Sequence, residues 1–135
     1  MYRNILVPIT PDHSRDELGA IATARQMLSP DGHITALSVV ENIPSYAVTY
    51  LPEDLTDRAR TKVEEELEKA LREDRDIVRE VRLGRPSQMI LDYARQNDVD
   101  CIVIPSHRPG IQDFLIGSTA ARVVRHALCS VHVLR

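Results

Sequence analysis

Five short apolar runs are separated by longer stretches with helical spacing, and this alternation constrains the chain more than any other feature. The runs are Asn4-Ile5-Leu6-Val7-Pro8-Ile9, Ile34 to Val40, Ile77 to Leu83, Asp100-Cys101-Ile102-Val103-Ile104, and Ser130-Val131-His132-Val133-Leu134. Each is a strand by length and by its β-branched content. Four helices are expected between them. The first opens on the capping box Ser14-Arg15-Asp16-Glu17. Leu18, Ile21, Ala22, Arg25 and Leu28 form its inward face, with Arg25 the single polar member, and the turn residues Ser29-Pro30-Asp31-Gly32 end it. The second spans Glu53 to Glu73, with the stripe Leu55, Ala59, Val63, Leu67, Ala70 and Leu71. The third follows Gly84-Arg85-Pro86-Ser87, with Pro86 at the first helical position and Met89, Ile90, Tyr93 and Ala94 inward. The fourth begins at Gly117-Ser118-Thr119 and turns Ala120, Val123, Val124 and Ala127 inward.

Strands joined by helical crossovers pair in parallel, with helices on both faces of the sheet. The third strand is less apolar than the others and suits an edge; the fourth is continuously apolar and suits the centre. A length of 135 residues suits one domain over residues 1–135 with a core of its own. The net charge of -3 offers no basic field for nucleic acid or an anionic membrane. No apolar stretch approaches the ~20 residues that span a bilayer. The start MYRNILVPIT lacks the long apolar region of a secretion signal. Cys101 and Cys129 share no metal or redox spacing and read as buried, reduced thiols. The expected location is the cytoplasm.

In open parallel sheets a ligand sits beyond the carboxyl ends of the strands, where strand order reverses. If the first and fourth strands are neighbours there, the site lies between Pro8-Ile9-Thr10 and Pro105-Ser106-His107, with Val39-Val40 as a side wall. From the fourth strand the chain runs through Ser106-His107-Arg108-Pro109-Gly110 and returns to a helix starting Gly117-Ser118-Thr119. Unpaired N–H groups and the helix dipole attract an anion at such a turn. Gly117 permits close approach, Ser118 and Thr119 add hydroxyls, and Arg108 adds charge; an ordinary capped helix with a surface loop is the competing reading. His107 has no carboxylate or nucleophile paired with it in the sequence and suits a structural or phosphate-contacting role. His13, His33, His126 and His132 lack metal-ligand spacing. Glu64-Glu65-Glu66 reads as a solvated helix face. Tyr46 and Tyr50 are candidates to cover the crevice or to pack between subunits.

Three stretches together resemble the universal stress protein family along the whole chain. They are Ile5-Leu6-Val7-Pro8, then Gly84-Arg85-Pro86-Ser87 with Ile90 and Ala94, and then Ser106-His107-Arg108-Pro109 through Leu115-Ile116-Gly117-Ser118-Thr119-Ala120 to Val131. The loop is similar to that of a small single-domain branch reading S-H-R-P, not to the branch with the full glycine signature. The resemblance implies an open five-stranded parallel sheet of order 3-2-1-4-5, with helices on both faces, of the adenine nucleotide alpha hydrolase-like type. It implies ATP binding at the crevice in one branch and none in another. Carried over by position, Pro8 and Thr10 meet the adenosine and Val39 flanks the adenine. Gly117, Ser118 and Thr119 hold the phosphates, and Ser106, His107 and Arg108 close over them, with Ile104 also placed at the nucleotide.

Three departures stand out. Thr10 occupies a position where the family often has Asp, so it brings no charge for Mg²⁺, whose involvement stays open. Pro105 and Arg108 stand at the two glycine positions of the phosphate loop. The function expected is an ATP-binding stress-response module with weak or no hydrolysis and no catalytic or metal-ligating residues. The alternatives are an ATP-independent dimeric interaction protein of the same fold, or a slow ATPase. A homodimer is expected through the last strand at Val131, His132 and Val133, because an exposed edge invites pairing.

Overall fold

A computed structural model of the chain describes residues 1–10, 15–41, 54–106 and 116–135. Nine elements follow one another in these residues: β1 (Tyr2–Pro8), α1 (Arg15–Met27), β2 (Leu28–Val40), α2 (Leu55–Ala70), β3 (Val78–Leu83), α3 (Pro86–Gln96), β4 (Cys101–Pro105), α4 (Ser118–His126) and β5 (Ser130–Leu134). The strands form one parallel sheet of order β3-β2-β1-β4-β5, as expected. β1 and β4 are therefore the neighbours at the reversal of strand order. The Ser14 hydroxyl, Tyr46 and Tyr50 lie outside the described residues, as do the side chains of residues 15–17.

Each sheet face carries its own core. Ile5, Val7, Ile34, Ala36 and Val103 pack on one face with Ala20, Ile21 and Ala24 of α1 and Leu67 of α2. Leu6, Leu37, Ile102 and Ile104 pack on the other with Ile90, Tyr93 and Ala94 of α3 and with Ala120 and Val123 of α4. Continuous apolar runs in β1 and β4 follow from burial on both sides. Cys101 lies fully buried, and desolvation pushes its thiol up to about 11. Cys129 is only half-buried, contrary to expectation, and burial raises its thiol as well.

Some helix faces differ from the sequence reading. In α1 the sheet takes Ala20, Ile21 and Ala24, while Leu18 is 57% exposed and Ala22 is also exposed. Small alanines let the helix lie close to the sheet, and that outweighs the larger Leu18. Arg25 is not an inward residue: it pairs with Asp74 at 2.7 Å and Asp76 at 2.8 Å, tying α1 to the turn before β3. The same guanidinium holds the Asp76 carboxyl down to about 2. In α2, Leu71 is the C-cap rather than a helical residue, and Ala70 is exposed. In α4, Val124 is 47% exposed.

Ser29-Pro30-Asp31-Gly32 does not separate α1 from β2 but belongs to the strand. Tyr2 pairs with Leu28 and Asn4 with His33, so five steps on β2 oppose two on β1 and the intervening residues bulge. The bulge needs Gly32, because a Cβ there would stand 2.8 Å from Arg3 O. Near it, β1 and β4 are clasped at their starts. The Asp100 carboxylate accepts the Arg3 N–H at 2.9 Å and the Asn4 N–H at 3.0 Å, and Asp100 N–H donates to Asn4 O at 3.0 Å.

α3 ends in a Schellman motif: Val99 N–H donates to Ala94 O at 3.0 Å, and Asp98 takes a left-handed φ of 53°. Glycine adopts that conformation without a Cβ penalty. Asp98→Gly should therefore stabilise the protein by about 0.5–1 kcal/mol, read as a higher midpoint in urea with an unchanged slope. An unchanged or lower midpoint would mean that the aspartate side chain offsets the strain.

Candidate nucleotide-binding crevice

β1 and β2 stay paired to the end of β1: Pro8 registers with Leu37, Ile9 N–H donates to Leu37 O at 2.8 Å, and Ser38 Oγ donates to Ile9 O at 2.7 Å. β1 and β4 register at Ile5 with Cys101 and at Leu6 with Ile102, and the pairing ends there. Proline cannot donate to a ladder, and Pro8 and Pro105 occupy the continuation. The hydrogen-bonded pairing of β1 with β4 therefore stops beyond Leu6, short of the carboxyl ends of both strands. β4 meanwhile remains paired with β5 as far as Pro105 and Leu134.

Of the expected residues, those described lie at the carboxyl ends of β1, β2 and β4 and at the start of α4. Pro8 is half-buried at the end of β1, and Thr10 is exposed just beyond it. Val39 is half-buried near the end of β2 and packs at the border of the α3/α4-side core. Ser106 leaves β4 buried, with its N–H donating to Leu134 O at 2.7 Å. Ile104 is buried, and its side chain belongs to the core with Leu6 and Leu37. His107 and Arg108 lie outside the described residues.

Gly117 is the N-cap of α4, with φ -62° and ψ 156° and no side-chain cap. Its N–H donates to Ser106 O, which draws the start of α4 back to the end of β4. The first intrahelical bond runs from Ala121 N–H to Gly117 O at 2.8 Å. The N–H groups of Ser118, Thr119 and Ala120 therefore have no partner within the helix. Gly117 N–H is thus engaged by Ser106 O, and the three residues after it carry the backbone N–H groups that the helix leaves unpaired.

Two local features escaped the sequence reading. Ala120 carries the third unpaired backbone N–H at the start of α4, which has no residue-type signal. Ser38 is buried, and its hydroxyl fixes the Ile9 carbonyl one residue before Thr10. A polar residue inside the apolar run Ile34 to Val40 was the signal that could have found it. Among the described residues no group of three or more His, Cys, Asp or Glu comes together as a metal site. None of the described helices is long and apolar enough to cross a membrane.

The universal stress protein family model matches residues 1–135. Universal stress protein G of Salmonella typhimurium is 29% identical over 142 aligned positions covering the whole of both chains. The structure of universal stress protein UspA from Lactobacillus plantarum superposes with a TM-score of 0.80 at 28% identity, covering 99% of this chain and 98% of that one. Two more distant structures share the fold at 19% identity each. One is an Arabidopsis thaliana family protein with AMP bound, with a TM-score of 0.64 over 98% of this chain and 90% of its own. The other is a universal stress protein in complex with cAMP, with a TM-score of 0.63 over 99% and 97%. The sheet order and the neighbours together give the adenine nucleotide alpha hydrolase-like fold.

Proposed function

Because this chain belongs to the universal stress protein family, we propose that the β1/β4 crevice binds ATP and that the protein acts as a nucleotide-responsive regulatory module. The observation that carries the reading is the end of β1/β4 pairing at Leu6 and Ile102, at the point where strand order reverses, beside an α4 start whose Ser118, Thr119 and Ala120 N–H groups have no helical partner. Adenine lies against Val39 on the β2 side. The ribose passes over Pro8 and Thr10, and the phosphates reach Gly117-Ser118-Thr119. The AMP and cAMP complexes of proteins with this fold support an adenine nucleotide as the ligand class.

This chain's own residues bind and orient. The N–H groups of α4 and the hydroxyls of Ser118 and Thr119 meet phosphate oxygens, and the helix dipole favours the charge. Arg108 and His107 supply positive charge or hydrogen bonds from the loop, Arg108 in place of a glycine-rich turn. Thr10 offers one hydroxyl and no charge. Efficient phosphoryl transfer leans on metal and positioned charge, so binding is accompanied by weak or no hydrolysis, and the output is conformation or choice of partner.

Calorimetric titration of the purified protein tests the reading. Saturable binding of ATP is expected, with phosphate release from the bound nucleotide slow or undetectable over hours. Absence of binding by both ATP and AMP at millimolar concentration would overturn it and favour a dimeric protein of the same fold working without nucleotide.

A further inference from the structure

The connection from α2 to β3 sorts its charges by side. Asp74 and Asp76 both turn to Arg25 at the end of α1, at 2.7 Å and 2.8 Å. The cations of the same stretch gather elsewhere. Lys69 in the last turn of α2, Arg72 and Arg75 in the connection, and Arg79 of β3 line one open cleft of about 470 Å³ together with Glu68. Glu68 is the one carboxylate among these five, and it lies 2.9 Å from Arg79 Nε as an ion pair. Arg79 is held in place, with 21% of its side chain exposed. Its Nη1 donates to Ile77 O at 2.8 Å and its Nη2 to Leu71 O at 2.7 Å. Leu71 is the C-cap of α2, so the guanidinium sets positive charge where a helix end would otherwise repel an anion. Lys69 and Arg75 are exposed and have no ion-pair partner among the described residues. Arg72 meets only Glu73, at 4.0 Å, with the two side chains 82% and 91% exposed.

Four cations around one cleft, in a chain of net charge -3, concentrate a field that the molecule as a whole does not have. A single exposed ion pair holds little against water and salt. The cleft therefore retains only a ligand that meets several of these cations at once. Three of the four are arginines, whose forked donors match phosphoryl oxygens in pairs. The volume lies within the span of small-ligand sites. We propose that this cleft is a second anion site and that it takes an oligophosphate, a ligand with several linked phosphoryl groups. It is remote from the candidate crevice. The strands all run the same way, so the end of α2 and the start of β3 lie toward the amino end of the sheet, and the crevice lies at the carboxyl end. Nothing in this site depends on nucleotide binding at α4.

The test is titration calorimetry with tripolyphosphate at low salt, where exposed charges are least screened. Wild type is compared with Gly117→Val and with Arg72→Ala combined with Arg75→Ala. Arg95→Ala combined with Arg125→Ala is the control, an equal change of charge on α3 and α4 at the other sheet face. All four arginines are exposed, so their truncation leaves the core intact. Wild type should bind tripolyphosphate about tenfold or more tightly than orthophosphate, and loss of Arg72 and Arg75 should weaken it about tenfold or more. Binding should persist in Gly117→Val and in the control. Unchanged affinity without Arg72 and Arg75 overturns this site, and loss in Gly117→Val alone assigns the ligand to α4. Equal weakening by the control pair reduces the effect to net charge and overturns the site as well. So does absence of any tripolyphosphate binding, and ATP titration of the wild type then decides the crevice separately. ATP lost without Arg72 and Arg75 but kept in Gly117→Val would support the cleft and overturn the crevice reading instead. If the double variant does not fold, Lys69→Gln must show the loss in its place.

Discussion

ATP binding should be lost in Gly117→Val without loss of fold. The proposed phosphate seat at α4 is made of backbone N–H groups, and a phosphate there must come within hydrogen-bond distance of them. Two γ-methyl groups on the residue just before them stand in its path. The substitution is clean because the Gly117 backbone, φ -62° and ψ 156°, is extended and open to any residue. The N–H that donates to Ser106 O also remains in the variant. The expected result is a fall in ATP affinity of about a hundredfold or more, roughly 2.7 kcal/mol, with the thermal midpoint within a degree or two of wild type. Unchanged affinity measured by calorimetry would place the phosphates elsewhere.

The second large effect concerns assembly. The sheet has two edges and they are unlike. β3 carries Arg79, Glu80 and Arg82, with Arg82 paired to Glu80 and laid over the Tyr93 ring at 5.4 Å. Such charge blunts an edge. β5 reads Ser130-Val131-His132-Val133-Leu134 and has no Lys, Arg, Asp or Glu. Since Leu134 O faces β4, Val131 and Val133 turn their N–H and C=O groups outward. Leu128, 91% exposed, and Val124 flank the same region of sequence. We propose a two-fold antiparallel pairing of β5 with a second copy through Val131, His132 and Val133. Light scattering at micromolar concentration should give a dimer for wild type and a monomer for Val131→Lys combined with Val133→Lys. Monomeric wild type under those conditions would remove the proposal. A variant that also unfolds would be replaced by Val133→Pro, which deletes one outward donor and keeps an uncharged side chain.

The order of strands and helices was legible because periods of two and 3.6 residues separate cleanly in this chain. The sheet order was not contained in that periodicity; it came through the family resemblance, and the pairings of β1 with both β2 and β4 bear it out. Finer features failed where tertiary packing overrides local pattern. Leu18 looked like a core residue, but the sheet accepts Ala20 and Ala24 instead. Ser29 to Gly32 carried every turn signal and became a bulge, because Leu28 and His33 on either side of it both pair with β1. At the site, Gly117 was identified by residue type. The engagement of its N–H by Ser106 O depends on how β4 and α4 meet, which no local pattern records. The prolines at positions 8 and 105 were visible from the start. That they occupy the continuation of the β1/β4 pairing required the register.

The clasp at Asp100 has a kinetic meaning. It joins residues 96 and 97 positions apart in the chain, so the β1/β4 contact is among the most non-local in the protein. Contacts of that separation carry a large loop-closure entropy and form late. β1 with β2, or β4 with β5, can pair while the two halves of the sheet are still apart, and neither half alone brings the ends of β1 and β4 side by side. A nucleotide bound as proposed would find nothing to hold until the halves have joined. Its stabilisation would then fall on the finished sheet, lengthening the life of the folded state and leaving the route to it unchanged.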